Sequence, residues 1–257
     1  MRHAMPGYLR TMLCAIAVLA LTIHASAQQP ISRLKGRVVD EKGERVKDAE
    51  VRAEAFFGSA AGTFAGQRTF STKTNAKGEW NILGIAPGIW LFEVIAPGHM
   101  PESVALPIRL LTASNPNAGG QLIVWELVLK PMTVPAEGFW QPVIDAAESA
   151  RTGKLEEARL LLSRVPEAAN ADYLAAAGRV ALLARETGMA RTYFTRALER
   201  DPASYRAALG VASTVLLQRD FDLASRAFDA ARSRTRDKDE QKFLSYAIGD
   251  LATIKIR

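Results

Sequence analysis

The sequence predicts a two-part β + α protein: a seven-stranded antiparallel β-sandwich followed by a short solenoid of helix pairs. Three observations predict it. Residues 32–130 hold short runs of alternating apolar residues separated by turn signals. Beyond a proline-punctuated connector, Pro131, Pro135 and Pro142, the apolar spacing changes to three and four. Finally, Ala190, Phe194 and Ala197 recur as Ala224, Phe228 and Ala231, each offset by 34 residues. A helix–turn–helix unit of that length cannot bury its apolar face alone and must stack on copies of itself.

The N-terminus reads as a targeting segment. Arg2 and Arg10 precede the apolar run Met12–Ile23, and Ala25-Ser26-Ala27 supplies small residues for cleavage before Gln28. The run is shorter than the ~20 residues needed to span a bilayer, and no later stretch is long enough either. Export with cleavage after Ala27 is therefore expected. Cys14, the one cysteine, leaves with that segment, so the exported chain has no disulfide framework. The expected parts are 1–27, a signal peptide; 28–133, the sandwich; and 134–257, the helical repeats.

Along the sandwich, Val38 leads into the turn Asp40-Glu41-Lys42-Gly43, and Ala49, Val51 and Ala53 alternate in the next run. Asn75-Ala76-Lys77-Gly78 forms a second turn, after which Trp80 and Ile82 share a face. Pro87-Gly88 precedes Trp90, Phe92 and Val94, again with a period of two, and Trp125, Leu127 and Leu129 close the set. The alternation turns all three tryptophans inward, away from any role in stacking on sugars. Two Gly-, Ala- and Asn-rich stretches, 58–67 and 112–121, read as loose loops.

In the helical half, Ala158, Leu161, Leu162 and Val165 mark a helix that Pro166 ends. Asp172 is expected to cap the next helix, which runs to about Glu186 with Gly188 in the turn. The following helix ends near Asp201-Pro202. Two more span about 204–219 and 222–234, and a last one covers 240–254.

Composition argues against chemistry. Lys and Arg number 33 against 27 Asp and Glu, a net +6; without Arg2 and Arg10 it is +4, shared as +2 in each half, which makes no concentrated patch for nucleic acid. After cleavage His99 is the one histidine left, so no zinc set and no Ser–His–Asp arrangement can be assembled convincingly. The carboxylate clusters Glu156-Glu157, Asp220/Asp222 and Asp237/Asp239/Glu240 sit at helix starts, where acidic residues favour the N-terminus. No phosphate-binding glycine loop is present. Neither a metal nor a cofactor is expected.

Two resemblances add to this reading. Leu174, Gly178, Ala181, Ala190, Phe194, Ala197 and Pro202 sit where tetratricopeptide repeats place their signature residues. Ala212, Ala224, Phe228 and Ala231 repeat part of the pattern, with Arg236 at the usual proline. An earlier, degenerate unit keeps Ala146 and Ala158, with a step of 32 residues from Ala158 to Ala190. The helical half thus resembles about three tetratricopeptide units and a capping helix. Gly36-Arg37-Val38-Val39-Asp40, Gly43, Ala49-Glu50-Val51, Thr74-Asn75-Ala76-Lys77-Gly78, Pro87-Gly88 and Ala96-Pro97-Gly98 resemble the carboxypeptidase regulatory-like domain, a transthyretin-like, carbohydrate-binding-like sandwich. Arg45 and His99 replace that family's usual proline and aromatic residue.

The first resemblance implies a concave face built from the first helix of each unit. It places Asp172, Ala175, Arg179 and Leu182 there, then Arg206, Leu209, Ser213 and Leu216, with Trp140 beginning the row. Arginine beside leucine suits an extended peptide bearing a carboxylate. The sequence thus points to an exported, non-enzymatic protein-binding adaptor or assembly factor of the bacterial envelope, periplasmic or extracellular. The alternatives are carbohydrate or cell-wall glycan binding through the sandwich, or an accessory subunit of a peptidase or outer-membrane transporter.

Overall fold

Alternation and turn chemistry give the strands their places. A computed structural model describes residues 32–57, 69–85, 88–108, 123–131 and 141–255. The signal segment, both loose loops and Trp140 lie outside the described residues, as does the side chain of Trp125. The strands are β1 (Ser32–Asp40), β2 (Glu50–Phe57), β3 (Thr69–Lys73), β4 (Glu79–Ile85), β5 (Gly88–Ile95), β6 (Glu102–Ile108) and β7 (Ile123–Leu129). They form two sheets, ordered β4-β1-β7 and β3-β2-β5-β6. Two of the expected turns are built on glycines with positive φ, Gly43 and Gly78. A Cβ on Gly78 would lie 2.5 Å from the carbonyl oxygen of Val38, so its lack of a side chain is doubly required.

The mixed β + α class holds, but the sandwich is not wholly antiparallel. β1 and β7 run parallel, from Leu34 opposite Ile123 to Asp40 opposite Leu129. Alternation records which face a side chain takes, and it is the same for either strand direction. β5 also departs from its expected period of two. Trp90, Phe92 and Val94 point inward with Val104 and Leu106, yet Ile89, Leu91 and Glu93 are buried as well. The helices lie over the β5–β6 side of this sheet, so both of its faces are covered there.

Seven helices are described: α1 (Gln141–Arg151), α2 (Leu155–Leu162), α3 (Ala171–Leu183), α4 (Thr187–Arg200), α5 (Tyr205–Leu217), α6 (Phe221–Arg232) and α7 (Lys238–Lys255). They pack as three hairpin pairs and a last helix. Phe194 of α4 is wedged between Gly178 of α3 and Gly210 of α5; an added Cβ would lie 2.7 and 2.3 Å from its ring. Close approach of three helices is therefore bought with two glycines. Gly210 was not part of the repeat pattern, because it stands two residues before the position equivalent to Gly178.

Two expected caps are replaced. Asn170, not Asp172, caps α3, its Oδ1 accepting the Tyr173 N–H at 2.9 Å. The turn after α3 is made by Arg185 at φ +66, and Gly188 lies inside α4. Arg219 repeats the left-handed turn at φ +67, again 34 residues on, while Gly153 takes that position 32 residues earlier. Each turn stands five residues before its alanine, so the two residues missing between Ala158 and Ala190 are lost between Ala158 and the start of α3, in the short α2 and its link to α3. The described strands and helices belong to one compact unit, Ile31–Arg257. No described helix is long and apolar enough to cross a membrane.

Candidate binding groove

The first helices of successive pairs, α3 and α5, do bring the expected residues to one concave face. That face is not open. It is filled by the sandwich's edge strand β6, with β7 beside it.

Ser213 sits at the centre of the contact. Its hydroxyl accepts the Ala105 N–H at 3.1 Å and donates to the Ala105 carbonyl at 3.4 Å. An edge strand presents unpaired backbone groups that must be covered or solvated, and one serine covers both groups of the central residue of β6. Arg179, 3% exposed, places Nε 3.3 Å from the Glu102 carboxylate at the start of the same strand. Burial lowers the pKa of this arginine, and Glu102 opposes that shift while Arg206 adds to it. Arg206 donates from Nη2 to the Val128 carbonyl of β7 at 3.3 Å, so both sheets have an edge strand met by the array. Asp172, free of capping, accepts an ion pair from Lys130 at 3.1 Å. Leu182 is buried, and Leu209 packs against the core.

The open peptide groove expected from Asp172, Arg179, Leu182, Arg206, Leu209 and Ser213 is thus corrected to a face occupied within the chain. The physical reason is direct. β6 is apolar over nearly its whole length, lies at a sheet edge, and would be exposed without a cover.

Sequence reasoning missed a second anchor. Arg185 reaches from the strained turn after α3 to Glu93 of β5 and, at 2.5 Å, to Glu54 of β2. Glu93 is buried, and its pKa is raised first by that burial, with the Arg185 guanidinium pulling the other way. A signal was available: Glu93 is the one charge in the run Ile89–Ile95, and a charge buried in a strand requires a partner. His99 makes a local contact, its Nδ1 lying 2.9 Å from the Pro97 carbonyl.

No family model and no curated protein matches the chain. Among solved structures it is similar to the type III secretion chaperone SycD of Yersinia enterocolitica, solved in complex with a peptide of the translocator YopD. The identity is 17% and the TM-score 0.39, covering 48% of this chain and 96% of that one. PcrH from Pseudomonas aeruginosa gives 16% and 0.38 with the same coverage. Both cover the helical half. Hydroxyquinol 1,2-dioxygenase from Pseudomonas putida gives 14% and 0.30 over 42% of this chain, which spans 58% of that enzyme. At these identities and TM-scores the likenesses bear no part of the functional reading.

Proposed function

We propose that this chain is an exported, non-enzymatic adaptor or assembly factor of the bacterial envelope that binds a protein partner. The observation that carries the reading is β6 lying in the concave face. An extended segment is held there by backbone bonds through Ser213 and by a guanidinium–carboxylate pair through Arg179. A helical-repeat face that grips a strand in this way has the chemistry of protein recognition. Here that chemistry is spent joining the two halves, so the partner meets the outside of the joined body. The sugar-binding reading has less support, since Trp80 and Trp90 are both buried and offer no stacking face.

The test is site-specific photo-crosslinking in intact cells. Probes on the outside, at the exposed Leu160 of α2 and Phe56 of β2, are expected to yield a discrete protein adduct, and a probe replacing Ser213 only a contact within the chain. Absence of adducts from both outer positions sinks the adaptor reading. A protein adduct from position 213 would mean that β6 leaves the groove to admit a partner. Fractionation checks the export claim: a chain beginning at Gln28 is expected in the envelope fraction, and full-length protein in the cytoplasm would contradict it.

A further inference from the structure

The contact between sandwich and array leaves a cleft whose charges it does not use up. The cleft lies between Glu102–Val104 of β6, Glu126–Val128 of β7, α3, α5 and the first turn of α7. Its volume is ≈ 50 Å³ and it is partly open to solvent, which limits an occupant to a handful of non-hydrogen atoms.

Two arginines line it. Arg179 spends Nε on Glu102, and Arg206 spends Nη2 on Val128. The Nη1 atom of each is buried and has no hydrogen-bond partner among the described residues. Guanidinium donors in this state are best met by a carboxylate, which offers two oxygens at once. The same cleft is lined by Glu126 and Glu240. Glu126 lies 3.8 Å from Arg37, at the long end for an ion pair, and Glu240 accepts a hydrogen bond from the Thr235 hydroxyl. Burial raises the Glu240 pKa, the Thr235 hydrogen bond and Arg206 lower it, and Asp237 and Glu126 push it up again, so a further cation beside it would favour the carboxylate.

A lone anion would satisfy the arginines while adding charge near Glu102, Glu126 and Glu240. A lone cation would do the reverse. A molecule carrying both charges answers both needs, and Phe194, Leu209 and Gly210 leave space for only a small apolar part. We propose that this cleft binds a small zwitterion of the size of glycine or alanine. Its carboxylate lies on the Nη1 groups of Arg179 and Arg206, and its ammonium faces Glu126 and Glu240.

Isothermal titration of the whole protein at neutral pH with glycine and alanine tests this, with acetate and methylammonium as single-charge controls. Saturable binding of at least one amino acid is expected, with each control weaker by about tenfold or more. Arg206→Ala and Glu240→Gln are each expected to weaken the amino acid by about tenfold or more; Glu240→Gln decides the matter if Arg206→Ala fails to fold. No saturable heat with either amino acid overturns the proposal. So does acetate binding as tightly as glycine, which would make the cleft a plain anion site, or full affinity in Glu240→Gln.

Discussion

On the outer side of the helical array, Arg196, Arg200 and Arg234 donate to carbonyls in the turn of the preceding unit, at Pro166, Glu167 and Pro202. On the inner side, Arg179, Arg185 and Arg206 reach across to the sandwich. Arg200 and Arg234 stand 34 residues apart and do the same work in successive units, so they belong to the repeat. The inner set has no such internal echo of partners, because its partners are strands that do not repeat. The same residue type therefore stitches the array on one side and fastens a foreign surface on the other. Water can replace the outer bonds at little cost, whereas on the inner side Arg179 and the Glu93 carboxylate that Arg185 meets are both buried.

The largest effect is expected from Arg179→Ala. It leaves Glu102 without its guanidinium at a partly dry edge and should cost about 3 kcal/mol, read from urea unfolding of the whole chain. A loss below about 0.5 kcal/mol would erase the distinction between the two sides. Ser213→Ala comes next, at about 2 kcal/mol, because both the N–H and the carbonyl of Ala105 lose their partner inside the interface.

Arg185→Gly sharpens the comparison, since two effects oppose. Glycine relieves a positive φ worth about 1 kcal/mol, but Glu93 is left buried and unpaired. A net loss of about 1–2 kcal/mol is expected, and the Arg185→Gly, Glu93→Gln double variant should recover most of it. If Arg185→Gly stabilises the protein, this anchor contributes nothing to the joint.

The pH dependence follows from Glu93. Its folded pKa is raised above the ordinary 4.5, so between those two values the folded state holds more protons than the unfolded one. Its contribution to stability is fully present below the unfolded pKa and falls as pH rises through the folded value. Glu93→Gln should flatten that fall in a pH series of urea midpoints; an unchanged slope would contradict the assignment. The smallest effect is expected outside: Arg234→Ala should cost about 0.5 kcal/mol or less.

Helix positions were legible because proline and the three-and-four apolar spacing act locally. The inward turn of Trp80 and Trp90 was legible for the same reason. Which residues share the concave face was also readable, since the tetratricopeptide resemblance places Arg179, Arg206 and Ser213 there. What that face touches was not. The pairs Glu102–Arg179 and Ala105–Ser213 join residues far apart in the chain and leave no local pattern. The direction of β7 beside β1 was hidden likewise, because alternation is blind to it. Arg185 escaped notice because an arginine in a left-handed turn looks, in sequence, like any charged loop residue.

The central claim is that the concave face is committed to the chain's own edge strand. Residue-resolved hydrogen exchange at the Ala105 amide tests it most directly. Although β6 ends its sheet, this amide is predicted to be protected almost to the level of global unfolding, and to lose that protection in Ser213→Ala while the β2–β5 amides keep theirs. Exchange at the rate of a free edge strand in the unaltered protein would contradict the account.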